Sequence, residues 1–88
     1  MDLLRKRLKW RCRRGMRELD AVFDGYLERV YDTLPVAQQE LFARLLDETD
    51  PILYAWITGR AEPDDAALAV LLRHVLDVYQ AQLVKQRT

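Results

Sequence analysis

Arg14, Gly15, Met16, Arg17 and Glu18 stand where two helical patterns meet, and they combine cations, a carboxylate and a glycine within five residues. Glycine costs a helix about 1 kcal/mol relative to alanine, so its position there needs a cause. One cause is a backbone conformation that a Cβ forbids; the other is the close approach of a partner's surface. The flanking charges favour the second, because they supply polar handles that orient a docked surface. Arg14 and Glu18 are four residues apart and would share a face on a continuous helix. Such a pair contributes only about 0.2–0.5 kcal/mol, and less with the cation first. It does not account for Gly15.

Other chemistry-bearing residues are sparse. His74 is the single histidine, in the middle of a helical pattern, with no serine or cysteine spaced to pair with it as a nucleophile. Its expected state is a surface or partly packed imidazole. Asp47-Glu48 and Asp64-Asp65 are adjacent acids, and neighbours on a helix point in different directions, so capping and solubility explain them better than acid/base work. Cys12 lies among cations, which lower a thiol's pKa, but it shares an apolar edge with Leu4 and Leu8, which favours a buried small side chain. No glycine-rich phosphate loop and no metal-ligand cluster is present, so neither catalytic nor metal residues are assigned. Trp56 falls on an apolar helix face and reads as core. Trp10, between Lys9 and Arg11, reads equally as packed on the next helix or as an aromatic anchor for a partner.

The chain has 88 residues, which bounds it to one helical domain over residues 1–88, too small for a deep substrate cavity. Half of the residues are hydrophobic and 32% are charged, as in a soluble globular protein, and no run approaches the ~18 apolar residues of a membrane span. One cysteine permits no internal disulfide, and a cytoplasmic setting is expected. The formal net charge is zero, but residues 1–17 carry +7 and the remainder −7. Three explanations compete for the basic end. Arg13-Arg14 is followed by polar residues rather than an apolar stretch, so a secretory signal does not fit. A mitochondrial presequence usually precedes a domain, whereas this segment runs into the motif. Nucleic-acid binding is opposed by the acidic body and by the absence of a recognisable recognition motif. A partner-facing basic helix fits best.

The elements that must position these residues are all helices. Leu19, Val22, Phe23, Tyr26, Leu27, Val30, Tyr31 and Leu34 recur at three and four, which predicts one long helix ended by Pro35. Leu41, Phe42, Leu45 and Leu46 repeat the pattern in a shorter helix reaching about Glu48. Asp50 is the expected N-cap of the next, a short helix carrying Ile52, Leu53, Trp56 and Ile57, with Pro51 at its first position and Gly59 at its C-terminal cap. Pro63-Asp64-Asp65 opens the last helix, whose stripe is Leu68, Leu71, Leu72, Val75, Leu76, Tyr79 and Leu83. With a first helix on the Leu4-Leu8-Cys12 edge, the fold class is all-α, a small compact bundle of about five helices. The expected core includes Val22, Phe23, Tyr26, Val30, Phe42, Leu45, Trp56, Leu72 and Leu76.

The stretch from Trp10 to Asp20, followed by Leu45-Leu46, Asp50-Pro51 and Trp56, resembles the SdhE/Sdh5 family of succinate dehydrogenase assembly factors. That family is marked by an RGxxE motif, matched here by Arg14, Gly15 and Glu18. The resemblance covers nearly the whole chain. It implies a non-enzymatic helical protein that binds the flavoprotein subunit of succinate dehydrogenase, or of fumarate reductase, and promotes covalent attachment of FAD to that subunit. On this reading Arg14, Gly15 and Glu18 contact the partner, Arg13, Arg17 and Trp10 assist, and FAD is attached to the partner rather than held stably here. Together with composition and helical spacing, this leads to the expectation of a cytoplasmic monomer that neither enters the membrane nor binds nucleic acid. Two alternatives stand beside it: an antitoxin-type module of a membrane-associated toxin pair, the family's older label, and a basic-helix nucleic-acid binder.

Overall fold

A computed structural model describes residues 3–87 of the chain, with Leu4, Gln86 and Arg87 described by their backbone alone. Helix α1 covers Leu3–Arg11, α2 Arg17–Arg29, α3 Val36–Leu45, α4 Asp50–Ile57 and α5 Ala66–Arg87, with a 3₁₀ turn over Tyr31–Thr33 between α2 and α3. Among the described residues there is no strand. Helix α2 is the hub: α1, α4 and α5 pack on it, and α5 also packs on α3. This is the all-α bundle that the helical spacing predicts.

The α2 face Leu19, Val22, Phe23, Tyr26 and Leu27 is buried throughout. Phe42 of α3 enters the middle of it, with ring centroids 5.2 Å from Tyr26, 6.4 Å from Phe23 and 5.9 Å from Tyr31, all tilted rather than stacked face to face. Leu8 and Cys12 of the first helical edge are fully buried; the Leu4 side chain lies outside what the structure describes. Leu68, Leu71, Leu72 and Val75 complete the core from α5. Val30, Trp56 and Leu76, expected within the core, pack against its margin and are only partly buried.

Three expectations shift. The long helix expected to run to Pro35 ends at Arg29, and Val30 breaks the α conformation before the 3₁₀ turn. The apolar spacing continues through Tyr31, so the break is invisible in the pattern; the turn buries Tyr31 against Phe42 as the chain passes to α3. Asp50 is not the N-cap of α4 but its first residue, after Thr49 and before Pro51. Its carboxylate makes no cap and is used elsewhere, as described below. Leu83 is 39% exposed rather than part of the buried stripe, because α5's core residues end with Val75 and its margin with Tyr79.

Two boundaries read from the sequence hold, the opening of α5 near Asp65 and the end of α4 at Gly59. Asp65 receives the Ala67 and Leu68 N–H groups at 2.8 and 3.3 Å and starts α5. Gly59, at φ +76°, ends α4: its N–H reaches Trp56 O and the Arg60 N–H reaches Ala55 O, which is the Schellman arrangement. The segment Ala66–Lys85 of α5 is long and apolar enough, by length and composition, to cross a membrane. Its most deeply buried side chains serve the core of this bundle instead.

Candidate functional site

The turn between α1 and α2 carries the candidate residues, and two carboxylates outside the motif shape it. Asp20, one turn into α2, reaches back so that its Oδ1 accepts the Arg14 N–H at 2.5 Å. Gly15 follows at φ +87°, the left-handed region. Of the two causes the sequence offers for Gly15, the backbone one is met, since an L side chain is strained at this φ. A Cβ built there meets nothing within 4 Å, so the outer side of the turn is also open.

Arg14 does not pair with Glu18, because the two lie across a turn and not on one helix. Its side chain, 15% exposed, points into the body. Nε donates to Asp50 Oδ1 at 2.6 Å, Nη1 to the carbonyls of Leu46 at 2.8 Å and Arg11 at 3.3 Å, and Nη2 to the carbonyl of Glu48. The Leu46 and Glu48 carbonyls follow the C-terminus of α3, the negative end of its dipole, and Asp50 begins α4. Arg14 thus ties the α1–α2 turn to the α3–α4 connection.

The other motif residues face solvent. Arg13, Gly15, Arg17 and Glu18 are exposed, and Trp10 is 77% exposed. Of the two places open to Trp10, packing on the next helix is the one the structure rejects. With Lys6, Lys9 and Arg13 it lines a shallow, largely apolar depression on α1. Among the described residues the side chains of Lys6, Arg7, Arg13, Arg17 and Glu18 enter no hydrogen bond or ion pair.

The remaining cations of the basic end are spent within the fold. Arg5 pairs with Asp32 and Glu28, Lys9 with Asp24 and Glu28, and Arg11 with Asp47. The bond from Lys9 holds the Glu28 carboxyl below its ordinary pKa. The charge polarity of the sequence is therefore partly an internal seam between α1 and the acidic body.

Cys12 is sealed, and burial pushes its thiol up to about 12, against the pull of the neighbouring Lys9, Arg11 and Arg14. It stays protonated at neutral pH and is no thiolate nucleophile. His74 faces solvent on one side while its Nδ1 lies 2.8 Å from the Tyr26 hydroxyl, with the two rings edge to face. Burial raises the Tyr26 phenol to about 12, so it too remains neutral. Among the described residues no three His, Cys, Asp or Glu side chains converge as a metal site. Arg13, Arg17 and Glu18, expected at the partner-facing surface, are exposed, and Trp10, for which the sequence left packing and exposure equally open, is exposed as well. Sequence reasoning missed the bonds of Asp20 and Asp50 to Arg14: it read Asp50 as a helix cap and gave Asp20 no role, since the only signal of either is a carboxylate near a helix start.

Over residues 6–79 the sequence matches the protein family Sdh5, described as the flavinator of succinate dehydrogenase. It is 42% identical to the FAD assembly factor SdhE of Idiomarina loihiensis over 72 residues, which span 82% of this chain and 80% of that protein. The FAD assembly factor SdhE of Coxiella burnetii is 36% identical over 83% of this chain and 89% of its own length. That of Vibrio cholerae is 39% identical over 80% of this chain and 81% of its own. These relatives are named as assembly factors and not as enzymes.

Proposed function

This chain belongs to the Sdh5 family of succinate dehydrogenase flavinators, and we propose from that membership that it assists covalent attachment of FAD to the flavoprotein subunit of succinate dehydrogenase. It does so in the cytoplasm by binding that subunit, with FAD ending on the subunit and not on this chain. The contact residues are Trp10, Arg13, Gly15, Arg17 and Glu18. The observation that supports them is their exposure around a turn anchored from within, with four charged or aromatic side chains presented to solvent.

The chemistry of such assistance follows from what this chain cannot do. Its thiol is buried and protonated, and its imidazole is bonded to a buried phenol. The bond-forming groups then belong to the subunit, and this protein contributes by binding one conformation of the subunit better than another, the only way a bound partner shifts such an equilibrium. Trp10 supplies apolar area, Arg13 and Arg17 read acidic groups, and Glu18 reads a cation or an N–H donor. The open side of Gly15 lets the partner's backbone approach.

Purified apo-flavoprotein, FAD and this protein test the reading. Covalent flavin, seen as in-gel fluorescence after denaturation, should accumulate faster with the protein than without it, and Glu18→Ala should lose most of the gain. The same assay with the fumarate reductase flavoprotein identifies which subunit is served. Equal rates with and without the protein, while the two bind, overturn the reading.

A further inference from the structure

The open face around Gly15 is only as well placed as the residues behind it, and the geometry there points to a role that reaches outside the motif. Arg14 is anchored twice: its N–H on Asp20, its guanidinium on Asp50 and on the carbonyls of Leu46 and Glu48. The carbonyls are fixed by α3. Asp50 is the one side chain among the guanidinium's acceptors, and its carboxylate has no cap or other ion pair of its own to make. A guanidinium is suited to this, because its rigid planar fork of five N–H donors addresses the Asp50 carboxylate and the carbonyls of Arg11, Leu46 and Glu48 at once, four acceptors against an ammonium's three donors.

We propose that Asp50 is a positioning residue for the action on the flavoprotein: it acts through Arg14 to hold the Gly15 turn, and so orients Arg13, Arg17 and Glu18 toward the partner without touching it. This rests on the proposed function for its consequence, but not for its structural part. Arg14 belongs with Asp50 in this role, so the motif divides into an inward arginine and an outward glutamate on either side of a left-handed glycine.

The test compares Asp50→Ala, Asp50→Glu and Asp65→Ala with the wild type in the full chain. Asp65 caps α5 and pairs with Arg44, away from the turn, so its loss is a destabilising control of the same kind. All are assayed well below their melting temperatures, where circular dichroism shows them fully helical. Asp50→Ala should weaken binding to the apo-flavoprotein and slow flavinylation by about tenfold, the scale on which a loosened supporting shell acts. Asp50→Glu should recover most of the loss, and Asp65→Ala should act as wild type. Amide exchange at Arg14, whose N–H is held by Asp20, and at Asp20, whose N–H is held by the Met16 carbonyl, should quicken in Asp50→Ala alone.

Wild-type activity in Asp50→Ala, or an equal loss in Asp65→Ala, overturns the positioning role. If the wild type itself neither binds nor accelerates, the proposed function fails instead. The amide exchange then decides the clamp alone, and unchanged exchange in Asp50→Ala overturns it.

Discussion

At Gly15 the backbone stands at φ +87° with open space where a Cβ would lie, so a substitution there strains the chain without a clash. The cost of a left-handed conformation for an ordinary residue is about 1–2 kcal/mol. For a domain of this size 1 kcal/mol moves the melting temperature by roughly 4–8 °C. Gly15→Ala and Gly15→Arg should both melt lower by about 4–16 °C, followed by circular dichroism, whereas Gly15→Asn should keep most of the stability because asparagine tolerates this region. A Gly15→Ala melting curve that overlays the wild type would contradict the left-handed turn. Partner binding separates the two bulky cases: if the open side is used for contact, Gly15→Arg loses more affinity than Gly15→Ala at equal stability.

Among the elements, α3 shows how one side chain organises several helices. Phe42 is fully buried and touches rings from α2 and from the 3₁₀ turn. Phe42→Ala should cost about 3–5 kcal/mol, a large part of a small domain's stability, measured by urea titration. Leu53, fully buried on α4, and Phe42 were both legible in the sequence, because burial follows helical spacing. The break at Val30 was not, since apolar spacing runs on through it and the stop signal is Pro35. The inward turn of Arg14 was not legible either: three of its acceptors sit 32–36 residues away, and two of those are carbonyls, which any residue type supplies. The start of α4 was legible to within a residue, and that residue decided whether Asp50 capped a helix or held an arginine.

For the molecule as a whole, the groups whose pKa moves on folding set the pH range over which the bundle holds. Glu28 and Asp65 are held below their ordinary values of 4.5 and 3.8, chiefly by the bonds from Lys9 and from Arg44. A lowered carboxyl gives stability that is present above the unfolded pKa and lost as pH falls through the folded one, so the bundle should weaken below about pH 4.5. At the other end, burial raises Cys12 from 9.0 and Tyr26 from 10.0, each to about 12. Their stabilisation is complete below the unfolded values and is lost as the unfolded chain ionises first, by at most about 1.4 kcal/mol per pH unit for each group. Melting temperature should therefore fall from about pH 9 upward and more steeply beyond 10. Cys12→Ala, which has no thiol to ionise, should start less stable but show a flatter slope between pH 9 and 10. A slope equal to that of the wild type would mean that Cys12 is not buried as a neutral thiol beneath α1.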